Sequence, residues 1–186
     1  MNLKKYYTIL ILVFVIFCAC EKDKPNPFLI ENHHIGFLTD STQVKDLKIV
    51  FPNDSIVNFK AGDEFSGTIN AIDIYEKNGT KLLSLYPKEA LDSTSVIGSV
   101  QILDKRYRTD QNINIESTFK DIKDAYKIKS IDNLINIIVV NVKDINGAFT
   151  IDKNELPPNM RFDMKIKFDP IMIPDEAKVK FFMLHW

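Results

Sequence analysis

"TQVKDLKIVFPNDSIVN" occupies positions 42–58, and "STFKDIKDAYKIKSIDN" occupies positions 117–133. Laid over each other, the two stretches share Lys45/Lys120, Asp46/Asp121, Lys48/Lys123, Ser55/Ser130, Ile56/Ile131 and Asn58/Asn133. Chance would give about one identity over such a length, so the agreement marks self-similarity at a fixed period. The substitutions carry the structural content. Val44, Leu47 and Phe51 become Phe119, Ile122 and Tyr126. Both sets are apolar at i, i+3 and i+7, the spacing of one face of a short amphipathic helix. Thr42 and Ser117 are expected N-caps, and Asp46 and Asp121 fall in the first turn, where the helix dipole favours negative charge.

Working outward, the agreement continues. "IDIYEKNGTKLLSLY" (72–86) and "VVNVKDINGAFTID" (139–152) each place β-rich runs on both sides of an Asn-Gly pair. Asn78-Gly79 and Asn146-Gly147 therefore predict type I′ hairpins. A further strand is expected in "SVIGSVQIL" (95–103) and in "MRFDMKIKF" (160–168). In the latter, Met160, Phe162, Met164, Ile166 and Phe168 alternate with Arg161, Asp163, Lys165 and Lys167, the pattern of a half-buried antiparallel strand. Short alternating pieces precede each helix, with Ile35 and Phe37 in one case and Ile113 and Ile115 in the other, and "AKVKFFMLHW" reads as a closing strand. The expected class is α+β: two tandem repeats, each a short helix plus about three to four antiparallel strands, sharing one sheet or core. The units are 34–110 and 111–186.

The N-terminus, "MNLKKYYTILILVFVIFCACEKDKPNP", has a short basic start at Lys4 and Lys5 and an apolar run of about 14 residues. Such a run suits an export signal and falls short of the roughly 20 residues that span a bilayer as a helix. Cys18 and Cys20, the chain's only cysteines, end the run, and a charged, proline-bearing segment follows. Cysteines separated by one residue bridge poorly, and no third thiol is present to pair with either.

The "FCAC" followed by "EKDKPNP" resembles the lipobox of bacterial lipoproteins. That resemblance implies lipidation at Cys20, which follows small Ala19, rather than at Cys18, which follows Phe17. The departure is Phe17 itself, where the family usually has Leu. It implies residues 1–19 as a removed signal peptide and 20–33 as lipid anchor and flexible tether. Several acyl chains hold a protein durably where one does not. Glu21 after the anchor, rather than Asp, implies the outer membrane, on its periplasmic face or at the cell surface. The "EKDK" cluster and the composition resemble uncharacterised lipoproteins of the Bacteroidota. In period and element order, the body resembles the tandem-repeat fold of β-lactamase inhibitory protein, though it lacks that fold's disulfides and no inhibitory residue carries over.

Signal removal leaves 22 basic against 25 acidic side chains, without the positive excess that nucleic-acid binding needs. His33 and His34 adjoin the tether and His185 the C-terminus, and no metal-ligand spacing joins them. Six glycines leave little for phosphate or dinucleotide loops, and no nucleophile elbow is present. The acidic pairs Asp63-Glu64 and Asp175-Glu176 sit in turn sequences. Lys165, Lys167, Lys178 and Lys180 are expected on the outward faces of the last two strands, as a solubilising face or a cationic strip. No catalytic residue, cofactor or metal is expected. The function that follows is a non-catalytic, lipid-anchored envelope protein that binds a protein or ligand, with the membrane and an envelope protein as partners. An enzyme with a dispersed active site and a structural assembly lipoprotein are the alternatives.

Overall fold

Apolar runs of alternating period pair into strands that cross most of the chain. The computed structural model describes residues 26–58 and 71–186. In chain order its strands are β1 (Leu29–Glu31), β2 (His34–Ile35), β3 (Leu38–Thr39), β4 (Ser55–Asn58), β5 (Ile72–Tyr75), β6 (Lys81–Pro87), β7 (Ile97–Ile102), β8 (Arg108–Thr109), β9 (Ile128–Asn133), β10 (Ile137–Val142), β11 (Gly147–Asp152) and β12 (Val179–His185). Two α segments accompany them, α1 (Leu47–Val50) and α2 (Phe119–Ala125). Strands β3, β2, β1 and β8 form a small sheet in that order, with β1 and β8 parallel. The other eight form one antiparallel sheet, ordered β4-β5-β6-β7-β12-β11-β10-β9.

One line of directly paired residues runs across all eight strands: Ile56, Ile74, Leu83, Ile102, Phe182, Phe149, Val140 and Ile131. All are apolar, and the six between the edge strands are fully buried. Phe149 and Phe182 stack with ring centroids 4.4 Å apart. The neighbouring line is Asp73, Ser84, Gln101, Met183, Ala148, Asn141 and Ser130, mostly polar, on the opposite face. There the Ser84 hydroxyl donates to Asp73 Oδ1 at 2.6 Å, and Lys81 Nζ stands 2.6 Å from Asp73 Oδ2. The core joins the sheet to Ile30 and Leu38 of the small sheet, to Leu47 of α1 and Phe51 just after it, and to Phe119 and Ile122 of α2.

The expected α+β class of two repeating helix-and-sheet units is overturned. Among the described residues the fold is mostly β, 39% strand against 16% helical, in sheets of four and eight strands, with one substantial helix, α2. The reason lies at the N-caps. Thr118 accepts from the Asp121 N–H while Asp121 accepts from the Thr118 N–H, a complete capping box. Gln43 at the matching position makes no side-chain cap, so that stretch begins as a 3-10 turn and yields only the four residues of α1 before Pro52. Each cap therefore falls one residue after the expected Thr42 and Ser117. The two stretches still enter the sheet by matching bonds. Val44 and Lys45 donate to Ser95 O and Ser93 O, and Phe119 and Lys120 donate to Ala177 O and Asp175 O.

Two further expectations fail. Residues 160–168 form no strand: Pro157, Pro158 and Pro170 bracket them with 3-10 turns, and β12 occupies the place beside β11. Side chains serve this loop's surroundings instead of a ladder. Arg161 donates to Leu156 O and Asn154 O, and Asn133 Nδ2 donates to Asp163 O and Ile166 O. Phe162, expected inward, is 89% exposed. Neither Asn-Gly pair makes a type I′ turn, which needs two positive φ values. Gly79 alone is positive in the first hairpin and Asn146 alone in the second, so each turn closes with a single left-handed residue.

The two phenylalanine environments separate in a stability measurement. Phe182→Ala should cost about 3–5 kcal/mol in urea unfolding, the usual loss for a buried aromatic, and Phe162→Ala should leave the midpoint nearly unchanged.

Candidate functional site

Gly36 sets the approach of the chain to an apolar groove. Its φ is +57°, its N–H donates to Leu29 O at 2.7 Å, and a Cβ added there would lie 2.1 Å from the Pro27 carbonyl oxygen. Only glycine tolerates both constraints. The return of the chain fixes Pro27 and Phe28 against the body of the protein. The Arg108 N–H donates to Phe28 O, and the Phe28 ring meets Tyr107 edge-on, centroids 5.1 Å apart.

Pro27, Phe28 and Tyr107 wall a groove of about 550 Å³ whose lining also includes Phe37, Ile49, Phe51 and Leu82. Ile49 is 78% exposed and Phe37 53%, so apolar surface forms the rim as well as the floor. Asp54 and Glu76 supply the acidic edge. Arg106 braces that side: its guanidinium lies 4.6 Å from the Phe28 ring, with Nη1 at 2.8 Å from Glu76 Oε1 and Nη2 at 2.9 Å from Asp104 Oδ2. Hydrogen bonds from Arg106 hold the Glu76 and Asp104 carboxyls below their ordinary values. Burial pushes the Tyr107 phenol up. The arrangement offers an apolar slot with one ion-paired edge, suited to holding an apolar ligand segment.

A second cleft of about 380 Å³ has Glu31, Asp110, Asp144 and Tyr126 among its lining. The Tyr126 hydroxyl is buried with no hydrogen-bond partner among the described residues. Burial pushes its pKa up to about 12, and Thr109 and Asp110 lie near it without reaching hydrogen-bond geometry. A third, polar cleft of about 520 Å³ runs along α2, with Arg108, Asn112, Glu116, Asp121 and Asp124.

The sequence-predicted residues are scattered. Cys20, Asp63 and Glu64 lie outside the described residues. His33 pairs with Asp40, His34 with Glu31, and His185 with Ser99, so the three imidazoles do not converge. Among the described residues no three His, Cys, Asp or Glu side chains stand as a metal site. Asp175 is the partner of Lys123. The expected lysine strip is not one sheet face: Lys180 lies on β12 and pairs with Asp152 at 2.7 Å, whereas Lys165 and Lys167 stand on the loop that replaced the expected strand. The groove itself escaped the sequence reading. Phe28 and Tyr107 belong to no periodic run, Phe37 belongs only to the short alternating piece with Ile35, and "HIGF" around Gly36 is the nearest local signal.

No protein-family model matches the chain, and no curated protein does. Among solved structures, the crystal structure of the uncharacterized protein yfeY from Escherichia coli is similar, with a TM-score of 0.53. That likeness covers 84% of this chain and 99% of that one at 13% identity. At this distance it shows a shared fold alone.

The Arg106 pairs make a pH signature. Both carboxyls are depressed on folding, so their contribution is complete above their ordinary values and is lost as acid titrates them in the folded state. In urea unfolding, Arg106→Gln should lower the midpoint at neutral pH, and the gap from the parent protein should close as the pH falls below the ordinary carboxylate range. A gap independent of pH would assign Arg106 a packing role alone.

Proposed function

We propose that this chain is a lipid-anchored protein of the cell envelope, acylated at Cys20 and held at the outer membrane, which binds an apolar segment of a protein or ligand without catalysing a reaction. The observation that carries this reading is the position of the groove. Pro27, part of its wall, follows Cys20 by seven residues. A tether of that length reaches about 25 Å when fully extended. The groove therefore opens within reach of the surface to which the lipid is attached. Its rim of Phe37 and Ile49 supplies contact area, and the Arg106 cluster holds one wall in shape. The export signal, the small residue before Cys20 and the charged, proline-bearing tether support the anchor. The scattered histidines and ion-paired carboxylates favour binding over acid–base chemistry.

Metabolic labelling with a fatty-acid analogue tests the anchor. Labelling should be abolished in Cys20→Ala and retained in Cys18→Ala, and label persisting in Cys20→Ala would refute the assignment. For the groove, affinity capture from intact envelopes should recover a partner with the parent chain and lose it with Phe37→Asp. Equal capture by both would place binding elsewhere.

A further inference from the structure

The pairing registers show which features share an end of the large sheet. The β5–β6 turn, the finish of β7, the start of β12, the finish of β11 and the β9–β10 turn all fall at one end. The groove walled by Pro27 is at that end, because Glu76 and Leu82 border the β5–β6 turn. So is a second apolar feature. Leu134 and Ile135 project from the β9–β10 turn, and Asn133 beside them donates to Asp163 O and Ile166 O. Those bonds bring the Phe162–Met164 segment to the same tip. Ile135 is 76% exposed, and Leu134, Phe162 and Met164 are exposed with it. Cations flank this apolar tip: Arg161, Lys165 and Lys167 stand within seven residues that contain one acid, Asp163. Lys165 and Lys167 are exposed and make no ion pair with any described residue. At the opposite end, the β6–β7 connection exposes Leu91.

We propose that this end of the sheet docks on the bilayer, with Leu134, Ile135, Phe162 and Met164 entering the headgroup region and Arg161, Lys165 and Lys167 meeting lipid phosphates. Exposed apolar side chains rimmed by cations are the composition of an interfacial membrane contact, in which apolar burial and attraction to anionic headgroups act together. The tip, between β10 and β9, lies five to six strand spacings from β5, about 24–29 Å along the sheet. Together with the tether beside the groove, it gives the domain two separated points of support, which set its tilt and turn the groove toward the membrane. This inference rests in part on the lipid anchor, and its test separates the two.

The full chain is reconstituted into phosphatidylethanolamine–phosphatidylglycerol vesicles containing brominated lipid. One sample carries an environment-sensitive fluorophore on Leu134→Cys, and another carries it on Lys143→Cys at the far end. Bromine should quench the label at 134 at least about threefold more than the label at 143, and adding Phe162→Asp should remove most of that excess. Equal quenching at both positions, quenching at neither, or no change with Phe162→Asp would overturn the docking. Intact mass of the same samples reads Cys20 independently. A bare Cys20 with strong quenching at 134 would reject the anchor and keep the docking, and an acylated Cys20 without that quenching would do the reverse.

Discussion

Eight apolar side chains in register, from Ile56 on β4 to Ile131 on β9, hold the large sheet to a single pairing. Because strand side chains alternate with a period of two, a slip of one residue anywhere would exchange this line with its neighbour. Asp73, Ser84 and Asn141 would then enter the core, and Leu83 or Val140 would leave it. The junction between β7 and β12 is where this constraint matters most. It joins strands about eighty residues apart in sequence, and Phe182 sits at the crossing, opposite Ile102 and stacked on Phe149. The small sheet and α2 then cover what the row exposes, through Ile30, Leu38, Phe119 and Ile122.

Local chemistry decided where similar sequence became different structure. The two quoted stretches place their apolar residues alike, and both put Leu47 or Ile122 into the core. A threonine and an aspartate three apart close a capping box in one, while glutamine and a following Pro52 leave the other with a single turn. The loop at 160–168 teaches the same lesson in reverse. Its alternation is as regular as any strand in the chain, yet a strand also needs a free edge to pair with and N–H groups to donate. Here β12 holds the place beside β11, and Pro158 and Pro170 open 3-10 turns on both sides, so the segment stays a loop.

The groove depends on a backbone event more than on any side-chain pattern. Gly36 allows the chain to return against Pro27, and that return sets Phe28 on Tyr107 and under Arg106. A periodic search sees none of this, because the aromatic residues are far apart and sit outside helices and strands. The same feature places the groove beside the segment that leads to Cys20, and so links the shape of the domain to its proposed attachment.

Hydrophobic period and turn residues in the sequence were enough to locate most strands of the large sheet, the buried faces of both short helical stretches and the final strand, because these depend on neighbours within a few residues. The lipobox-like ending of the N-terminal run is likewise a local chemical pattern. The division into two sheets, the exposure of Phe162, the Pro27 groove and the gathering of apolar tips at one end were settled only by the tertiary structure. Each depends on which distant strand wins a place at an edge, and that competition is decided by the register of the whole sheet rather than by any one segment.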